Sequence, residues 1–521
     1  MITGTEENIP DNTPIIVGAG QYTEHIDPGS EPPLHSPAEL ATRACFAALK
    51  DSSGSVSAAD IDTIAFIRLF SDSAPAWACP FGGSNNLPES VAQQIGASPR
   101  RRIYSNLGGT QPLQLMAELL TGIARGEINC ALLTGSEAIA NQRYAQRQGI
   151  TLDWAEEFDA PLDSRLYTER FASPQEIASG MFLPVHYYAL IENYRAHQQG
   201  NNTQEHIQQM AELFSSFSAV AASNPYAFFH DQQSTEDLCS QSNGNYPISL
   251  PYSKKLIAQD AVNQAAALLL TSVGQAKAWG IDPSQWIFLQ GYAEGEDQCV
   301  SQRLDIGKSQ SLDEVIGTAL ATANAQPESM DLVDIYSCFP CAVEAVCNTL
   351  GYPIDGSRPL TITGGLPYFG GPGNNYSMHA LAEMASRIKD TGKRGLVTAN
   401  GGQLSKHAAA ILANAPAGEG EKPLDLADHG PEILNAENIP TSRYCDSPEA
   451  GNVLSYTVIY LRNTDDLAVV LAENENGERF FARSADPEVT QSVNKSSPIG
   501  RAIEVTSEDG KHLFSFSAGQ G

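Results

Sequence analysis

Short apolar runs alternate with amphipathic segments along the first 140 residues of the chain. The apolar runs predict strands near residues 13–21, 61–67, 103–110 and 128–135. Between them, Ser36 is placed to cap one helix and Pro112 to open another, because apolar residues at helical spacing follow both. The last of the four runs is apolar almost throughout, as in a parallel sheet that is covered on both faces. This alternation predicts a layered α/β architecture.

The alternation is interrupted between about residues 140 and 250, where the chain is polar and rich in Gln, Asn and Tyr. Helical spacing recurs there at 187–198 and 203–222. We interpret this part as an inserted subdomain. Strand and helix patterns then resume at 256–270, 286–289 and 312–325.

The most informative stretch runs from Leu332 to Cys341. An apolar run ends there in a polar tip, and Pro340 then opens an amphipathic helix that Gly351 stops. α/β proteins place chemistry at such junctions, at the carboxyl end of a strand and the positive end of a helix dipole. The same order of strand, small-residue turn and helix occurs at 103–125, which suggests an internal duplication.

Two further turns follow in the second half. A glycine-rich turn at 363–375 leads into a predicted helix that contains His379. A predicted strand at 395–398 then ends in Asn400-Gly-Gly402, and we expect a helix carrying Lys406 and His407 after it. The chain therefore has several small-residue turns at strand ends, where a pocket could form.

The last part of the chain has a different pattern. The segment near 415–440 is rich in Pro, Gly, Glu and Asp, as in a linker. Short β runs follow at 451–461, 466–472, 478–483, 502–506 and 512–516. Short strands separated by turns predict a small barrel or sandwich, of the OB type.

Composition and charge narrow the class of protein. A chain of 521 residues is too long for one core, so two or three domains are expected. The net charge of −30 argues against nucleic acid or an anionic membrane as a partner, since both would be repelled. No apolar run approaches the roughly 20 residues that span a bilayer, which predicts a cytoplasmic protein. The nine cysteines are odd in number, which favours reduced thiols, and their spacing predicts no metal site.

Taken together, these motifs resemble the thiolase superfamily over residues 13–412. Residues 126–138 resemble the strand and loop after the nucleophile helix of thiolases. Tyr336-Ser-Cys-Phe339 resembles their Asn-Glu-Ala-Phe or His-Asp-Cys-Phe motif, residues 364–372 their Gly-His-Pro region, and Asn400-Gly-Gly402 their Cys-x-Gly loop. The all-β tail resembles the extra C-terminal domain of a side branch, the thiolase-like proteins that are similar to acetyl-CoA acetyltransferases.

The resemblance implies a duplicated βαβαβ core in α/β/α/β/α layers, with an inserted loop domain and an OB-like tail. We therefore expect a thiolase-like N-terminal half at 1–140, an inserted loop subdomain at 141–254, completion of the N-terminal half at 255–282, a thiolase-like C-terminal half at 283–414, a linker at 415–440 and a C-terminal β-barrel-like domain at 441–521.

The resemblance also locates the positions at which thiolases carry their chemistry. A thiolase needs a nucleophilic cysteine at a helix N-terminus, a histidine base and a second cysteine. The nucleophile position falls here on Gly108, the histidine on Gly371 and the second cysteine on Ala399 or Asn400. Tyr336 takes the place of the asparagine in the Asn-Glu-Ala-Phe motif. Ordinary thiolytic or Claisen chemistry is therefore not expected.

The glycine turns would still offer backbone N–H groups to a thioester. The substrate-binding positions that the resemblance implies are Gly108, Gly109, Thr110, Ser337, Gly371, Asn374, Gly401 and Gly402. Five basic residues are candidates for contacts with the phosphates of a coenzyme A ligand, or are ordinary surface charges: Lys254, Lys255, Lys406, Arg143 and Arg147.

The candidate catalytic residues are Cys338, His407, Tyr336 and Asn375. Cys338 and Cys341 form a CxxC at a helix N-terminus, and three interpretations stay open: packing thiols, a low-pKa nucleophile at Cys338, and redox or metal use. His407 is a base near the lost cysteine loop or an ordinary helical histidine. Asn375 follows a glycine turn, where asparagine is also a common turn former.

Two functions are compatible with these observations. The first is a protein of lipid metabolism that binds an acyl-CoA or related thioester and performs an atypical acyl transfer. Coenzyme A would be its co-substrate or ligand, with no tightly bound cofactor. The second is a non-catalytic coenzyme A or acyl binding protein whose β tail offers a surface to a protein partner. The tail is expected to cover the face through which thiolases dimerise, which would give a monomer rather than a dimer.

Overall fold

The computed structural model describes residues 9–26, 29, 31–166, 171–418, 424–428, 430, 432–434 and 440–517. Its helices are α1 (Pro37–Asp51), α2 (Leu87–Ile95), α3 (Gln111–Ala124), α4 (Ile139–Gln148), α5 (Pro174–Ala178), α6 (Pro184–Gln198), α7 (Thr203–Ser223), α8 (Thr235–Cys239), α9 (Val273–Ala278), α10 (Gln310–Thr322), α11 (Pro340–Leu350), α12 (Tyr376–Thr391) and α13 (Pro487–Lys495).

The strands are β1 (Pro14–Thr23), β2 (Thr63–Ile67), β3 (Arg101–Tyr104), β4 (Cys130–Ala138), β5 (Asp163–Ser164), β6 (Pro247–Ser249), β7 (Tyr252–Ser253), β8 (Asn263–Ser272), β9 (Phe288–Glu296), β10 (Leu332–Asp334), β11 (Gly395–Gly401), β12 (Lys406–Ala413), β13 (Glu432–Leu434), β14 (Ala450–Ile459), β15 (Leu467–Glu473), β16 (Arg479–Ser484), β17 (Ala502–Glu508) and β18 (Lys511–Phe516).

Two mixed sheets with matching topology form the core. The first runs β1-β8-β4-β2-β3-β5 and the second β10-β11-β12-β9-β13. In each sheet a parallel pair (β2 and β4, or β10 and β11) is followed by two antiparallel neighbours (β8 and β1, or β12 and β9). The two halves of the chain therefore repeat one topology, which confirms the internal duplication.

Helices α3 and α12 contact strands of both sheets and form the middle layer. Both sheets are apolar on that side, and β4 is buried along its whole length. Helix α1 covers the outer face of the first sheet and α10 that of the second. Ile16 and Ile287 exchange backbone hydrogen bonds of 2.9 and 3.0 Å and so link β1 to the segment before β9. The result is the predicted α/β/α/β/α core.

The tail is a closed five-stranded barrel. Strand β14 pairs with β15 on one side and β17 on the other, and β16 and β18 close the ring as a parallel pair. Helix α13 connects β16 to β17, and no sequence pattern had indicated it. Closure removes exposed strand edges and confirms the OB-like prediction. Ile459 of β14 also pairs with Ser249 of β6, which joins the barrel to the inserted segment.

One predicted element is wrong. Lys406 and His407 begin strand β12 instead of a helix. The run Lys406–Ala413 is rich in alanine, which favours helix, but β11 and β9 flank it and bury it. Residues 419–423, 429, 431 and 435–439 of the predicted linker lie outside the described residues, as do the ends at 1–8 and 518–521. None of the described helices combines the length and the apolar character that crossing a membrane requires.

Candidate functional site

Four turns meet where the two halves of the core face each other: residues 106–110, 335–339, 371–375 and 400–405. We call this the four-turn junction. The Gly108 N–H donates to Asn374 Oδ1 at 3.0 Å, and a Cβ built on Gly401 would lie 3.6 Å from the Gly109 nitrogen. The structure thus brings together several of the residues that the sequence singled out.

Tyr336 fills the space beside Gly109. A side chain at 109 would collide with the phenol oxygen of Tyr336 and would come within 2.5 Å of the Asn400 carbonyl oxygen. Gly108 has open space around its missing Cβ, but its φ of +121° is a conformation that favours glycine. The two glycines are therefore required for different reasons: the backbone conformation favours glycine at 108, the nucleophile position of the resemblance, whereas Tyr336 and the Asn400 carbonyl fill the space of a side chain at 109.

Cys338 is covered by polar and aromatic neighbours. Asn400 Nδ2 lies 3.6 Å from its sulfur and also donates to the Tyr188 hydroxyl at 2.8 Å. The Tyr188 ring stacks on Phe339 with centroids 4.2 Å apart. Burial raises the pKa of the Cys338 thiol to about 12. The thiol is thus almost entirely neutral at neutral pH, whereas catalytic cysteines act as thiolates.

A carboxylate already occupies the N-terminus of α11. Glu192 Oε2 accepts from the Cys341 N–H at 2.9 Å and from the Tyr252 hydroxyl at 2.5 Å, while Oε1 lies 2.7 Å from His206 Nε2. Burial is the largest single influence and favours the neutral carboxyl, but the hydrogen bonds from His206 and Tyr252 and the charges of His206 and Arg195 together outweigh it and lower the pKa of Glu192. The N-terminus of α11, which could otherwise stabilise a thiolate at Cys338, therefore already has Glu192 as its anionic partner.

Cys341 itself is fully buried, and burial raises the pKa of its thiol well above the ordinary value. None of the nine cysteines of the chain forms a disulfide. Of the three interpretations of the CxxC, packing thiols fit these contacts best. Among the described residues no group of three or more His, Cys, Asp or Glu side chains is arranged to hold a metal ion.

The imidazole of His407 is hydrogen-bonded to Ser309. Its position on β12 places it opposite Asn400 of β11, and its Nε2 lies 3.0 Å from Ser309 Oγ. Burial, with a further contribution from the Arg303 charge, lowers the pKa of His407 to about 3. A neutral histidine bonded to serine has little capacity to take a proton, so its role as a base stays a prediction.

Asn375 and Gly371 lie on the third turn. Asn375 is buried at the N-terminus of α12 and packs against the backbone of Gly135, and its side-chain amide has no hydrogen-bond partner among the described residues. The Gly371 N–H donates to the Gln259 carbonyl at 2.7 Å, so this N–H is not available as an oxyanion donor.

The remaining predicted binding residues have local partners. Thr110 Oγ1 lies 3.4 Å from Gln114 Oε1, and Ser337 Oγ accepts from the Leu366 N–H at 3.3 Å. Gly402 has a φ of +62° beside the Ser405 hydroxyl.

Most of the basic residues proposed for phosphates are already engaged. Arg143 forms an ion pair of 2.6 Å with Asp260, Lys406 Nζ lies 3.3 Å from Glu296, and Lys255 donates to Gln233. Arg147 is exposed on α4.

A pocket of about 210 Å³ opens beside the first turn of the junction. Amide side chains form much of its wall together with charged groups: Asn106, Gln111, Gln114, Glu118, Arg165, Glu296 and Lys406. We call it the amide pocket. Gln111 is the first residue of α3, so the pocket lies at the positive end of that helix.

Sequence reasoning missed several residues that shape the site. Tyr188 and Glu192 lie on α6, which is buried on nearly all sides and so carries no amphipathic signal. Gln111 and Gln114 belong to no sequence motif that would have singled them out. Glu137, a single carboxyl near the end of an apolar strand, was a signal that could have been used.

No protein-family model matches the sequence, and no curated protein sequence does. Among solved structures, a monomeric SCP2-thiolase-like protein type 1 from Mycobacterium smegmatis is 31% identical with a TM-score of 0.80, covering 98% of this chain and 100% of that one. Human mitochondrial 3-ketoacyl-CoA thiolase is 17% identical with a TM-score of 0.54, covering 77% and 98%. Acetyl-CoA acetyltransferase from Syntrophomonas wolfei is 14% identical with a TM-score of 0.55, covering 78% and 100%. The last two share the fold.

Proposed function

Because the chain belongs to the SCP2-thiolase-like proteins, we propose that it binds an acyl-CoA or a related thioester at the four-turn junction without thiolase chemistry. One observation carries the proposal: the glycine-bearing turns meet beside an open pocket, while the Tyr336 phenol stands against Gly109. The turns that would hold a thioester are present, Gly108 supplies no nucleophile, and Tyr336 fills the space beside the next residue, Gly109.

The amide pocket suits the narrow arm of coenzyme A. That arm carries two amides, and Asn106, Gln111 and Gln114 supply matching donors and acceptors. A volume of about 210 Å³ is below that of most pockets that enclose a whole ligand. The pocket would therefore hold the arm near the junction and leave the nucleotide outside.

The experiment is calorimetric titration of the full chain with coenzyme A and with acetyl-CoA. Leu107→Trp would fill the amide pocket, which Leu107 lines. Leu304→Trp is the matched control, because Leu304 is 61% exposed and lies outside that pocket. We expect saturable binding that weakens at least tenfold in Leu107→Trp and stays unchanged in Leu304→Trp. Absence of binding to both ligands, with the protein folded, would refute the proposal.

A second candidate function is acyl transfer through Cys338, which one observation favours: the thiol lies beside an amide donor, Asn400 Nδ2, next to a helix N-terminus. Thiol labelling at pH 7.5 separates the two functions. We expect Cys338 to react far more slowly than Cys445, which is only half-buried. Labelling of Cys338 at least as fast as a free peptide thiol would favour the acyl-transfer candidate instead.

We also propose that the protein is a monomer. The two residues of β5 pair with Ile103 and Tyr104, so half of the outer edge of β3 is occupied by the same chain. The related structure from Mycobacterium smegmatis is described as monomeric. Light scattering after gel filtration should give the mass of one chain, and a stable dimer would contradict this.

Helix α6 of the inserted segment covers part of the surface of the tail barrel. Asn193 of α6 donates to the carbonyl oxygens of Leu250 and Tyr456 at 2.7 and 2.8 Å. Ser455 donates to the Leu190 carbonyl at 2.6 Å. A protein partner on the remaining barrel surface stays a prediction.

A further inference from the structure

A second cavity, of about 400 Å³, lies on the first half of the core. It is formed by the N-terminus of α1, the segment that follows β2, the end of β4 and residues 154–157. It shares no lining residue with the amide pocket. Its volume is within the range of sites that bind small molecules.

The charged residues that line this cavity are all acidic: Asp72, Glu137, Glu156 and Glu157, with no Lys, Arg or His among them. We call it the acidic cavity. Together with the net charge of −30, these groups create a negative potential that attracts cations and repels the phosphates of coenzyme A. The occupant of the acidic cavity is therefore a different class of molecule from the thioester.

Glu137 is the buried group of the cavity, with 3% of its surface exposed. Its Oε1 accepts from the Phe70 N–H at 2.6 Å, and a side chain at Gly373 would overlap its carboxyl group. Burial, then the charges of Asp72 and Asp260, raise the pKa of Glu137 to about 8. The charges that act on it are thus acidic, and its ionised form is destabilising unless a cation reaches it.

The rest of the lining is mainly apolar or aromatic. Leu69, Leu87 and Ile139 contribute aliphatic wall, and Trp154 contributes an indole. A bare metal ion would need several oxygen ligands at short distances, and the described residues contain no group of three or more acidic, His or Cys side chains arranged in that way. An occupant with a cationic head and an apolar body fits both parts of the lining.

We propose that the acidic cavity binds a small organic cation, an alkylammonium or guanidinium compound, with its head at Glu137 and its apolar body toward Trp154. Asp72 lies at the exposed mouth, where its carboxylate would attract the incoming cation. This site is independent of the proposed thioester site.

Tyramine and agmatine serve as the cationic probes, and 4-(2-hydroxyethyl)phenol serves as the neutral match for tyramine. Calorimetry on the full chain at pH 8 should give one-to-one binding of a cation, at least tenfold tighter than that of the neutral match. Binding should strengthen with rising pH and release a proton, measured by comparing buffers of different ionisation enthalpy. Equal affinity for the charged and neutral probes, or no saturable binding of either cation, would overturn the proposal.

Glu137→Gln keeps the acceptor for Phe70 and removes the charge, so binding should fall at least tenfold. Glu212→Gln is the matched control, since Glu212 is exposed on α7 away from the cavity. If Glu137→Gln fails to fold, Ala78→Trp at the exposed mouth tests the same claim by blocking entry. Unchanged cation binding in a folded variant of either kind would refute the site. Coenzyme A titrated into the cation-saturated protein should bind as before, which keeps this test separate from that of the thioester site.

Discussion

The turn at Tyr336–Cys341 holds two thiols at a helix N-terminus, whereas the acidic cavity holds one buried carboxyl, Glu137, and the half-buried thiol of Cys79 in its wall. The turn has the more informative sequence, yet Tyr188 and Asn400 cover its thiol and Glu192 occupies the helix N-terminus. The cavity has no motif, yet it is open, and its lining offers the buried carboxyl of Glu137 no basic partner. The difference teaches that a motif indicates a location, and that burial and neighbouring charges decide whether chemistry is available there.

The largest expected effect concerns Glu192, whose hydrogen bonds stabilise the turn at Tyr336–Cys341. Glu192→Ala removes the acceptor for Cys341, Tyr252 and His206 inside a buried network. We expect a loss of about 3–5 kcal/mol in the free energy of unfolding, the usual cost of breaking a buried ion pair. Urea denaturation measures it, with Glu212→Ala on the exposed face of α7 as control. A loss as small as in the control would mean that Glu192 does not stabilise the turn.

The next effect concerns the cavity and its dependence on pH. The pKa of Glu137 is raised to about 8, so its contribution to stability is fully present below its ordinary pKa and is lost as pH rises toward 8. The loss by pH 7 is on the order of 3 kcal/mol. In Glu137→Gln this part of the pH dependence should disappear. Parallel stability curves for the two proteins between pH 5 and pH 8 would show that the carboxyl is not buried as described.

A smaller effect tests the contact between the Tyr336 phenol and Gly109, the residue after the nucleophile position. Gly109→Ala should destabilise the protein by about 1–3 kcal/mol, because its methyl group would collide with the Tyr336 phenol and with the Asn400 carbonyl oxygen. In a Tyr336→Ala background the same change should cost clearly less, which a double-mutant cycle measures. Additive effects of the two changes would show that the phenol does not occupy this space.

Much of the fold could be predicted because local signals and tertiary packing agree. Ser36 and Glu39 form the capping box of α1, and Gly351 ends α11 with a φ of +69°. Strand β12 was mistaken for a helix because alanine-rich sequence favours helix, whereas its position between two strands was invisible locally.

The location of the candidate site could be predicted from the sequence, but the side chains that surround its thiol could not. The strand-end turns at 106–110 and 335–339 have small residues that mark them in the sequence. Their neighbours Tyr188 and Glu192 come from an inserted helix about 150 residues before the CxxC, and the sequence has no signal for that packing. Only the folded chain shows that a tyrosine and a carboxylate occupy the positions next to the thiol.

The most direct test of the central claim is the intact mass of the protein after incubation with acetyl-CoA at pH 8, at a concentration that saturates binding in calorimetry. The proposed function requires binding with no added acetyl group, because the Cys338 thiol stays neutral and glycine stands at 108, the nucleophile position. The account predicts an unchanged mass. A gain of one acetyl group that disappears in Cys338→Ser would contradict it and establish acyl transfer at this turn.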